Sequence, residues 1–469
     1  MGPRKASSSF SYLGVHDANS LADTKSKQLD NNGPEKVEKI STTYALINLL
    51  KGMVGPGCFA LPLSFKQAGL WAGMAVVFLL GIASSICMIK LVECSQYLCK
   101  RNNKRTLDYG QMAEEAFRSS FAPLRKFAFT MKIIVNSCLI LLQIGICSVF
   151  YIFVVDHLTD IQLHIWPHLH ISRNLYFLIV LPAFLILCTI RTLKVISYVC
   201  LMGNILMACS LTIILEELIR APHINTRDLP AITDMNGVTL AAGSILYALE
   251  GQALVLPLEN KMKYPQDMKG YTGVLSTGVS LVSLIYAACG FYGYITYGCE
   301  VKASITLNLT DKPLDFSVKI MLLIVVFFAF LIQSFPLVEM IWPPIKKRLR
   351  EKNYSRTARI ASEYLFRYSI VFVALGISFA VPNLDEIIPL VGVTAGMMLA
   401  LVLPPIMETA CFLPVWIEEG ATWKMYIRLA LNLLYFLMGL FFVVTGLQAN
   451  ISTLASHTSD KSCQSNMSF

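Results

Sequence analysis

One stretch near the start of the chain decides the fold: Lys51-Gly52-Met53-Val54-Gly55-Pro56-Gly57, within an apolar segment that covers residues 44–64. Glycine relaxes the backbone, and proline removes an amide donor and clashes with the preceding helical turn. Irregular backbone at membrane depth persists only where protein buries it or where it lines a water-filled cavity. The stretch therefore predicts a membrane-spanning helix that is broken in its middle.

A second break is predicted at Tyr247-Ala248-Leu249-Glu250-Gly251-Gln252, which Pro257 follows inside the apolar segment 237–258. Breaks at matching positions in two halves of a chain are the best sequence pointer to the substrate site of a transporter. The broken segments are the first and the sixth apolar spans, so they match if the core consists of two repeats of five helices. Because five is odd, the second repeat would be inserted upside down relative to the first.

The composition of the whole chain is that of a membrane protein. Of 469 residues, 55% are hydrophobic and 15% are charged, whereas about 25% are charged in typical soluble domains. A helix needs roughly 20 apolar residues to cross the hydrocarbon. Eleven segments fit this length, the ninth being short: 44–64, 70–92, 127–155, 174–191, 196–217, 237–258, 272–295, 317–345, 368–382, 387–413 and 426–448. The sequence predicts an all-α integral membrane protein with about eleven transmembrane helices.

The distribution of Lys and Arg predicts the orientation of these helices. With the N-terminus inside, 28 of the 39 basic residues fall on the inside, counting Arg191 and Arg428 at the inside ends of their spans; 7 fall on the outside and 4 within spans. This is the distribution that the positive-inside rule describes. The basic residues are spread over short loops, the richest being 346–367, so the net charge of +9 does not indicate a nucleic-acid partner. Residues 1–42 are polar and predict a disordered cytosolic tail, and 450–469 predict a short non-cytosolic tail.

The chemistry of a broken helix suits a zwitterion. Unwinding frees amide groups at the start of one half-helix and carbonyl groups at the end of the other. We expect amides near Gly55 and Gly57 to bind a carboxylate, and carbonyls near Ala248 and Leu249 to bind an ammonium group. An alternative is that the glycines only permit close helix packing. The predicted substrate-binding residues are Met53, Val54, Gly55, Gly57, Gln143, Ala248, Leu249 and Gly251.

Glu250 is the ionisable residue that narrows the mechanism, because it lies in the second break. A charge in the middle of a bilayer is costly, so its presence indicates a function. Its carboxyl group either takes up and releases a transported proton or pins the unwound segment by accepting amide hydrogen bonds, and Lys51 is an alternative ion-pair partner. Glu339 and Glu408 lie nearer the inside ends of their spans, where structural roles are expected. All seven histidines fall outside the predicted spans.

Several longer motifs follow one another in an order that resembles a known family. They are Leu49-Leu50-Lys51-Gly52, Leu61-Pro62-Leu63, Lys66-Gln67-Ala68-Gly69, Asp108-Tyr109-Gly110, Glu250-Gly251, Val255-Leu256-Pro257-Leu258-Glu259-Asn260, Ser304-Ile305-Thr306-Leu307-Asn308-Leu309 and Leu403-Pro404-Pro405. Through them, residues 41–448 resemble the proton-coupled amino acid transporters, a branch of the amino acid/auxin permease superfamily. The resemblance implies the five-plus-five inverted-repeat fold of LeuT-type transporters, with helices 1 and 6 broken.

The resemblance also implies a function. It implies symport of small neutral amino acids, of the alanine, glycine and proline class, with protons as the coupling ion and without a cofactor. The implied location is the plasma membrane or the endosomal and lysosomal membranes. Many family members carry a proton-coupling histidine one turn before the first glycine, where this chain has Asn48. Asparagine cannot titrate, so proton coupling either is absent or has moved to a carboxylate such as Glu250.

Other classes of protein have to be weighed against a proton-coupled carrier. An amino acid sensor with little flux, working with nutrient-signalling partners, would share every motif, and so would a sodium-coupled or uncoupled carrier. An enzyme is not expected, because no metal-ligand or nucleophile–base cluster is visible at membrane depth. A passive channel is not expected either, because there is no repeated filter loop or ring of like charges.

Three sequons on the predicted outside are candidate glycosylation sites. Their acceptors are Asn308, Asn450 and Asn466, each followed two residues later by Ser or Thr. Asn353 begins a fourth sequon on the predicted inside, where it should stay unmodified.

Overall fold

Helices make up the fold, and no strand occurs in the part of the chain that is described. The computed structural model describes residues 39–168, 171–191, 193–310, 312–420 and 422–466, without the side chains of 193–197 and 456–466. In chain order the helices are α1 (Thr42–Met53), α2 (Leu61–Ala68), α3 (Leu70–Arg101), α4 (Tyr109–Arg118), α5 (Ala128–Ile165), α6 (Arg173–Cys188), α7 (Leu193–Arg220), α8 (Met235–Ala248), α9 (Gln252–Glu259), α10 (Val274–Tyr297), α11 (Pro313–Glu351), α12 (Arg356–Ala380), α13 (Leu384–Val391), α14 (Leu403–Glu418) and α15 (Trp423–Asn466).

Each predicted span has a helical counterpart, which confirms the all-α membrane architecture. Within the described ranges, nine helical spans are long and apolar enough to cross a membrane, and a bent pair, Thr42–Met53 with Pro56–Ala68, makes ten. Two of the nine combine helices: Met235–Glu259 contains α8 and α9, and Leu384–Glu418 contains α13, π-helical residues between 392 and 402, and α14. The fourth predicted span corresponds to α6, which is apolar but only 16 residues long. The count of eleven and the inverted repeat stay predictions. The predicted N-terminal tail lies outside the described residues, except for residues 39–42.

The predicted boundaries were wrong where helices continue beyond the apolar residues. The ninth span is not short, because α12 has 25 residues. Since α11 extends to Glu351 and α12 begins at Arg356, the predicted loop 346–367 is mostly helix, with a turn at residues 352–355. Hydropathy marks only the stretch that crosses hydrocarbon, whereas charged Lys, Arg and Glu are themselves good helix formers and let a helix continue outside it.

The last helix also continues beyond its predicted apolar stretch. The apolar part of α15 was predicted to end at residue 448, with a tail over 450–469, but α15 continues to Asn466. Its membrane-spanning part, Trp423–Ala455, is the least buried of the candidate spans in the described structure, with 11% of its most apolar window inside the protein. Most of its side chains are therefore left to face lipid.

The helices that carry the two breaks pack together at the centre of the fold. The second half of the first span, α2, packs against α8, the first half of the sixth, and α10 packs against α1, α2 and α3. The short α4 lies between α5 and α14. It begins with a capping box formed by Asp108 and Gln111, and the Tyr109 hydroxyl donates to the Leu399 carbonyl at 3.0 Å. The motif at residues 108–110 thus fixes a helix in place beside the bundle.

Candidate functional site

The first break lies between α1 and α2. Helix α1 ends at Met53, Val54 leaves the helical region with ψ 94°, and Gly55 is extended. Residues Pro56–Ala60 form a 3₁₀ segment before α2, and the two halves of the span differ in direction by 48°. Proline lacks an amide hydrogen and has a fixed φ, so it is suited to the first position of a helical segment. The predicted interruption of the first span is present at these residues.

The second break covers Leu249–Gly251, between α8 and α9. Gly251 at the start of α9 has φ −152° and offers no side chain as a cap. The neighbouring carboxylate fills that role, because Glu250 Oε1 accepts a hydrogen bond from the Ala253 amide at 3.3 Å. A negative charge at this end of a helix is stabilised by the free amides and the helix dipole. The contact is the one expected of a carboxylate that pins the unwound segment.

The two breaks face each other. A Cβ atom added to Gly57 would lie 3.1 Å from Ala248 Cα, and one added to Gly251 would lie 3.1 Å from Met53 Cγ. Real Cβ atoms seldom come so close to other atoms. At Gly57 the neighbouring atom is backbone, so glycine permits the close approach there, whereas at Gly251 the neighbours are flexible methionine side chains. The end of each first half-span thus meets the start of the opposite second half-span. This is the arrangement that the matching of spans one and six predicted.

Tyr286 on α10 connects the two breaks. Its hydroxyl lies 2.7 Å from the Met53 carbonyl oxygen and 2.9 Å from that of Ala248, and the side chain is fully buried. A hydroxyl has one hydrogen, so it can donate to only one of these oxygens at a time. The sequence analysis missed Tyr286. Its only signal was a tyrosine inside an apolar span, where the hydroxyl group needs a partner.

Two buried glutamine amides are incompletely satisfied. Gln252, directly after the second break, donates from Nε2 to the Ser84 hydroxyl at 3.5 Å. The Oε1 atoms of Gln252 and of the predicted site residue Gln143 are buried and have no hydrogen-bond partner within the described structure. Buried polar atoms normally have partners. Both amides are therefore available to a ligand or to water, and Gln252 is a further site candidate that the sequence analysis left out.

The other predicted site residues differ in exposure. Leu249 is buried, whereas Val54, Gly55 and Glu250 are partly exposed. The Cys58 amide donates to the Gly55 carbonyl at 3.1 Å and so closes the first break locally. On α1, Asn48 and Lys51 are both exposed. No ion pair joins Lys51 to Glu250 in the described part of the chain, which leaves amide capping as the contact that Glu250 makes.

Glu408 belongs to a buried polar network that joins three spans, here called the Lys90 network. Lys90 Nζ on α3 lies 2.5 Å from Glu408 Oε2 on α14 and also donates to Asn432 on α15. Asn432 Nδ2 in turn donates to the Thr409 hydroxyl at 3.0 Å, and the ammonium lies 5.6 Å from the centre of the Tyr435 ring. The ammonium group of Lys90 is therefore surrounded by partners. Glu408 has the structural role expected of it, through a lysine that the sequence analysis did not single out.

A buried histidine follows the predicted end of the third span. The third span was predicted to end at residue 155, but α5 continues to Ile165 and contains His157, whose side chain is completely buried. Its Nδ1 lies 2.9 Å from the Phe153 carbonyl and its Nε2 lies 2.7 Å from the Thr306 hydroxyl. Because a carbonyl only accepts, Nδ1 carries the hydrogen. If the imidazole is neutral, Nε2 then accepts from Thr306, and this histidine is a satisfied core residue.

The predicted glycosylation acceptors have different environments. The Asn308 amide closes a loop, accepting from the Lys302 amide and donating to the Glu300 carbonyl, both at 2.9 Å. Asn450 is 2% exposed within α15 and donates to the Gly446 carbonyl at 2.7 Å. The side chain of Asn466 lies outside the described part. Glycosylation stays a prediction at all three, and the burial of Asn450 disfavours it there.

Comparison with known proteins identifies the family. Residues 38–452 match the family described as transmembrane amino acid transporter protein. The chain belongs to this family. That membership confirms the resemblance found in the motifs, and it places the chain among transporters rather than enzymes.

Two relatives align with most of this chain. The probable amino acid transporter skat-1 of Caenorhabditis elegans is 28% identical over 420 residues, which are 88% of this chain and 90% of the relative. The proton-coupled amino acid transporter-like protein pathetic of Drosophila melanogaster is 29% identical over 370 residues, or 77% of this chain and 75% of the relative.

Proposed function

We propose that this protein is a secondary active transporter that moves small neutral amino acids together with protons by alternating access. The observation that carries the proposal is the convergence of the Met53 and Ala248 carbonyls, one from each broken span, within 2.9 Å of the Tyr286 hydroxyl. Both carbonyls lie at C-terminal ends of half-helices, where the dipole is negative. An ammonium group has three hydrogens and can serve both carbonyls at once, which a hydroxyl cannot.

The two breaks also supply the proposed contacts for the rest of the substrate. The start of the 3₁₀ segment at Pro56 and the amide of Gly57 would bind the carboxylate, since helix N-termini favour anions. Gln252 directly follows the second break, and its buried Oε1 is a proposed further acceptor for the ammonium. Gln143, whose Oε1 also lacks a partner in the described structure, stays a predicted binding residue. Gly57 lies close to Ala248 and Gly251 lies close to Met53, so the two breaks border each other. Alanine, glycine and proline, the class that the resemblance implies, are the proposed substrates.

Glu250 is the proposed proton carrier. It is partly exposed beside the site, and it accepts a backbone hydrogen bond from the Ala253 amide. A neutral carboxyl would lose much of this capping interaction, so proton uptake would loosen the start of α9. The second break can thereby respond to the proton in a chain that has Asn48 in place of the family histidine. One relative is named as proton-coupled, which supports the same coupling ion here.

The test is uptake into liposomes that contain the purified protein. Labelled alanine, glycine and proline would be followed with an inward proton gradient and, separately, with a sodium gradient alone. We expect accumulation in the proton gradient, and we expect Glu250→Gln to lose that drive. The matched control is Glu339→Gln, which makes the same chemical change at an exposed carboxylate in another span.

Each result decides between the classes of function. If Glu250→Gln accumulates alanine as well as the wild type does, Glu250 is not the coupling residue. Accumulation in the sodium gradient alone would mean that the coupling ion is sodium and not the proton. Equal uptake with and without a gradient would mean that the protein is an uncoupled carrier. If alanine binds but no amino acid moves, the protein is a sensor.

The proposed location is the plasma membrane or the endosomal and lysosomal membranes, with a cytosolic N-terminus and the C-terminus on the other side.

A further inference from the structure

An apolar cavity of about 420 Å³ lies away from the two breaks, between α4, α14 and α15. It is lined by Phe117, Leu124, Pro405, Ile406, Thr409, Ala410, Leu413, Leu429, Asn432, Leu433 and Phe436. The lining residues on α15 run from 429 to 436, which corresponds to roughly 10 Å along the helix axis. Its volume is within the range of binding sites for small ligands. Because most of its lining side chains are apolar, it is suited to bind a hydrocarbon chain.

Exposed aromatic side chains surround one end of this cavity. Phe121 and Phe127 flank the one-turn helix Ala122–Arg125, which carries Leu124. Trp423 and Tyr426 precede Leu429 on α15, and all four aromatic residues are exposed, Trp423 by 77%. Exposed aromatic side chains of this kind collect at the membrane–water interface. The charge distribution predicts that this end is cytosolic. The cavity therefore opens toward the inner leaflet.

Basic side chains stand at the same end. Arg125 follows Leu124 directly; its Nε donates to the Ser120 carbonyl at 2.9 Å, and the residue is exposed. Arg428 precedes Leu429, is exposed, and places its guanidinium 5.6 Å from the centre of the Trp416 ring. Lys126 and Lys424 are exposed nearby, whereas the acidic residues at the end of α14 are Glu418 and Glu419. The balance at the mouth of the cavity is positive.

We propose that this cavity binds an anionic glycerophospholipid, with one acyl chain inside and its phosphate group against Arg125 and Arg428. Guanidinium groups bind phosphate oxygens in a bidentate manner, and basic residues at a membrane surface attract anionic lipids. The deep wall of the cavity includes Thr409 and Asn432, which belong to the Lys90 network. A bound lipid thus contacts the residues that join α3 to α14 and α15.

Native mass spectrometry of the full-length protein tests the proposal. The probes are phosphatidylglycerol, phosphatidylserine and phosphatidylcholine with identical acyl chains, added to the purified protein in detergent. We expect both anionic lipids to bind more tightly than phosphatidylcholine. Each of Arg125→Gln and Arg428→Gln should weaken anionic lipid binding about fivefold, and the double variant should lose the preference. Arg356→Gln, an exposed arginine at the start of α12, should keep it.

A second pair of variants tests the acyl chain. Ala410→Leu reduces the volume of the cavity and should weaken binding of all three lipids. Leu433→Trp also fills the cavity, and because Leu433 is 56% exposed, this variant should fold even if Ala410→Leu folds poorly. Leu365→Trp, on the exposed face of α12, is the matched control. Equal binding of phosphatidylcholine and phosphatidylglycerol would overturn the proposal. So would unchanged binding in the double arginine or cavity variants, or displacement of the phospholipid by cholesterol. Because binding is measured directly, these outcomes do not depend on transport.

Discussion

The two broken spans differ in what interrupts them. At the first break the backbone itself is responsible: Gly55 is extended, Pro56 begins a 3₁₀ segment, and the helix axis turns by 48°. At the second break the span Met235–Glu259 is still recognisable as one element of 25 residues. There a side chain supplies the missing contact, because Glu250 caps the start of α9.

This difference indicates which of the two breaks can change its geometry with pH. Glycine and proline fix the first break whatever the pH, so it is suited to hold the substrate in a constant geometry. The second break depends on a titratable group, so its geometry can follow the protonation of Glu250. Tyr286 contacts a carbonyl of each break. A change at the second break can therefore reach the first through this hydroxyl as well as through the direct contacts at Gly57 and Gly251.

The largest expected effect comes from closing the gap between the breaks. Gly57→Val should reduce alanine uptake more than tenfold, because even a single Cβ there lies 3.1 Å from Ala248 Cα, and overpacking a tight contact costs roughly 1–3 kcal/mol. The measurement is uptake at matched protein levels, with thermal unfolding followed in parallel. Gly203→Val is the control, because a Cβ added to Gly203 has no neighbour within 4 Å. Normal uptake by Gly57→Val would mean that the breaks need not touch.

A smaller effect is expected when the link between the breaks is cut. Tyr286→Phe leaves the Met53 and Ala248 carbonyls without their donor, which should lower the stability without substrate by about 1–3 kcal/mol. If the substrate ammonium takes over both carbonyls, alanine should stabilise this variant more than it stabilises the wild type. Thermal unfolding with and without alanine measures both quantities. Tyr198→Phe, at a 76% exposed tyrosine, is the control. An identical alanine-induced shift in Tyr286→Phe and wild type would place the ammonium elsewhere.

The smallest effect is expected at the proline of the first break. Pro56→Ala should cost less than about 1 kcal/mol, because an amide at the first position of a helical segment has no partner within that segment. Gly55 and Gly57 would still interrupt the helix, so alanine uptake should stay within about twofold of wild type. The uptake rate would be measured over a range of alanine concentrations for Pro56→Ala and the wild type. A loss as large as that of Gly57→Val would assign the break to Pro56 rather than to the glycines.

The sequence predicted the features that depend on neighbouring residues. Apolar stretches located the spans, and glycine with proline located the first break to within a few residues, because both signals act over one or two helical turns. Glu250 was identified for a similar reason, as a lone carboxylate in a span. The ends of α5, α12 and α15 were missed because hydropathy reports contact with hydrocarbon, whereas a helix continues as long as its backbone hydrogen bonds are made.

Contacts between distant spans were beyond the sequence. Tyr286 meets Met53 across 233 residues, and Lys90 meets Glu408 across 318. No local pattern marks such a partner, because the pairing is set by how the helices pack. The same limit applies to the cavity of α4, α14 and α15, which exists only once three separate segments have come together.

The distance in sequence between Lys90 and its partners has a consequence for how the chain is made. The second span enters the bilayer with its lysine long before residues 408 and 432 leave the ribosome. At about 5–20 residues per second, Glu408 follows roughly 16–64 s later. During that time the ammonium of Lys90 has no carboxylate to neutralise it, and its long side chain must reach the lipid head groups instead. Ribosomal pausing after α3 would lengthen this exposed interval, and completion of α14 ends it.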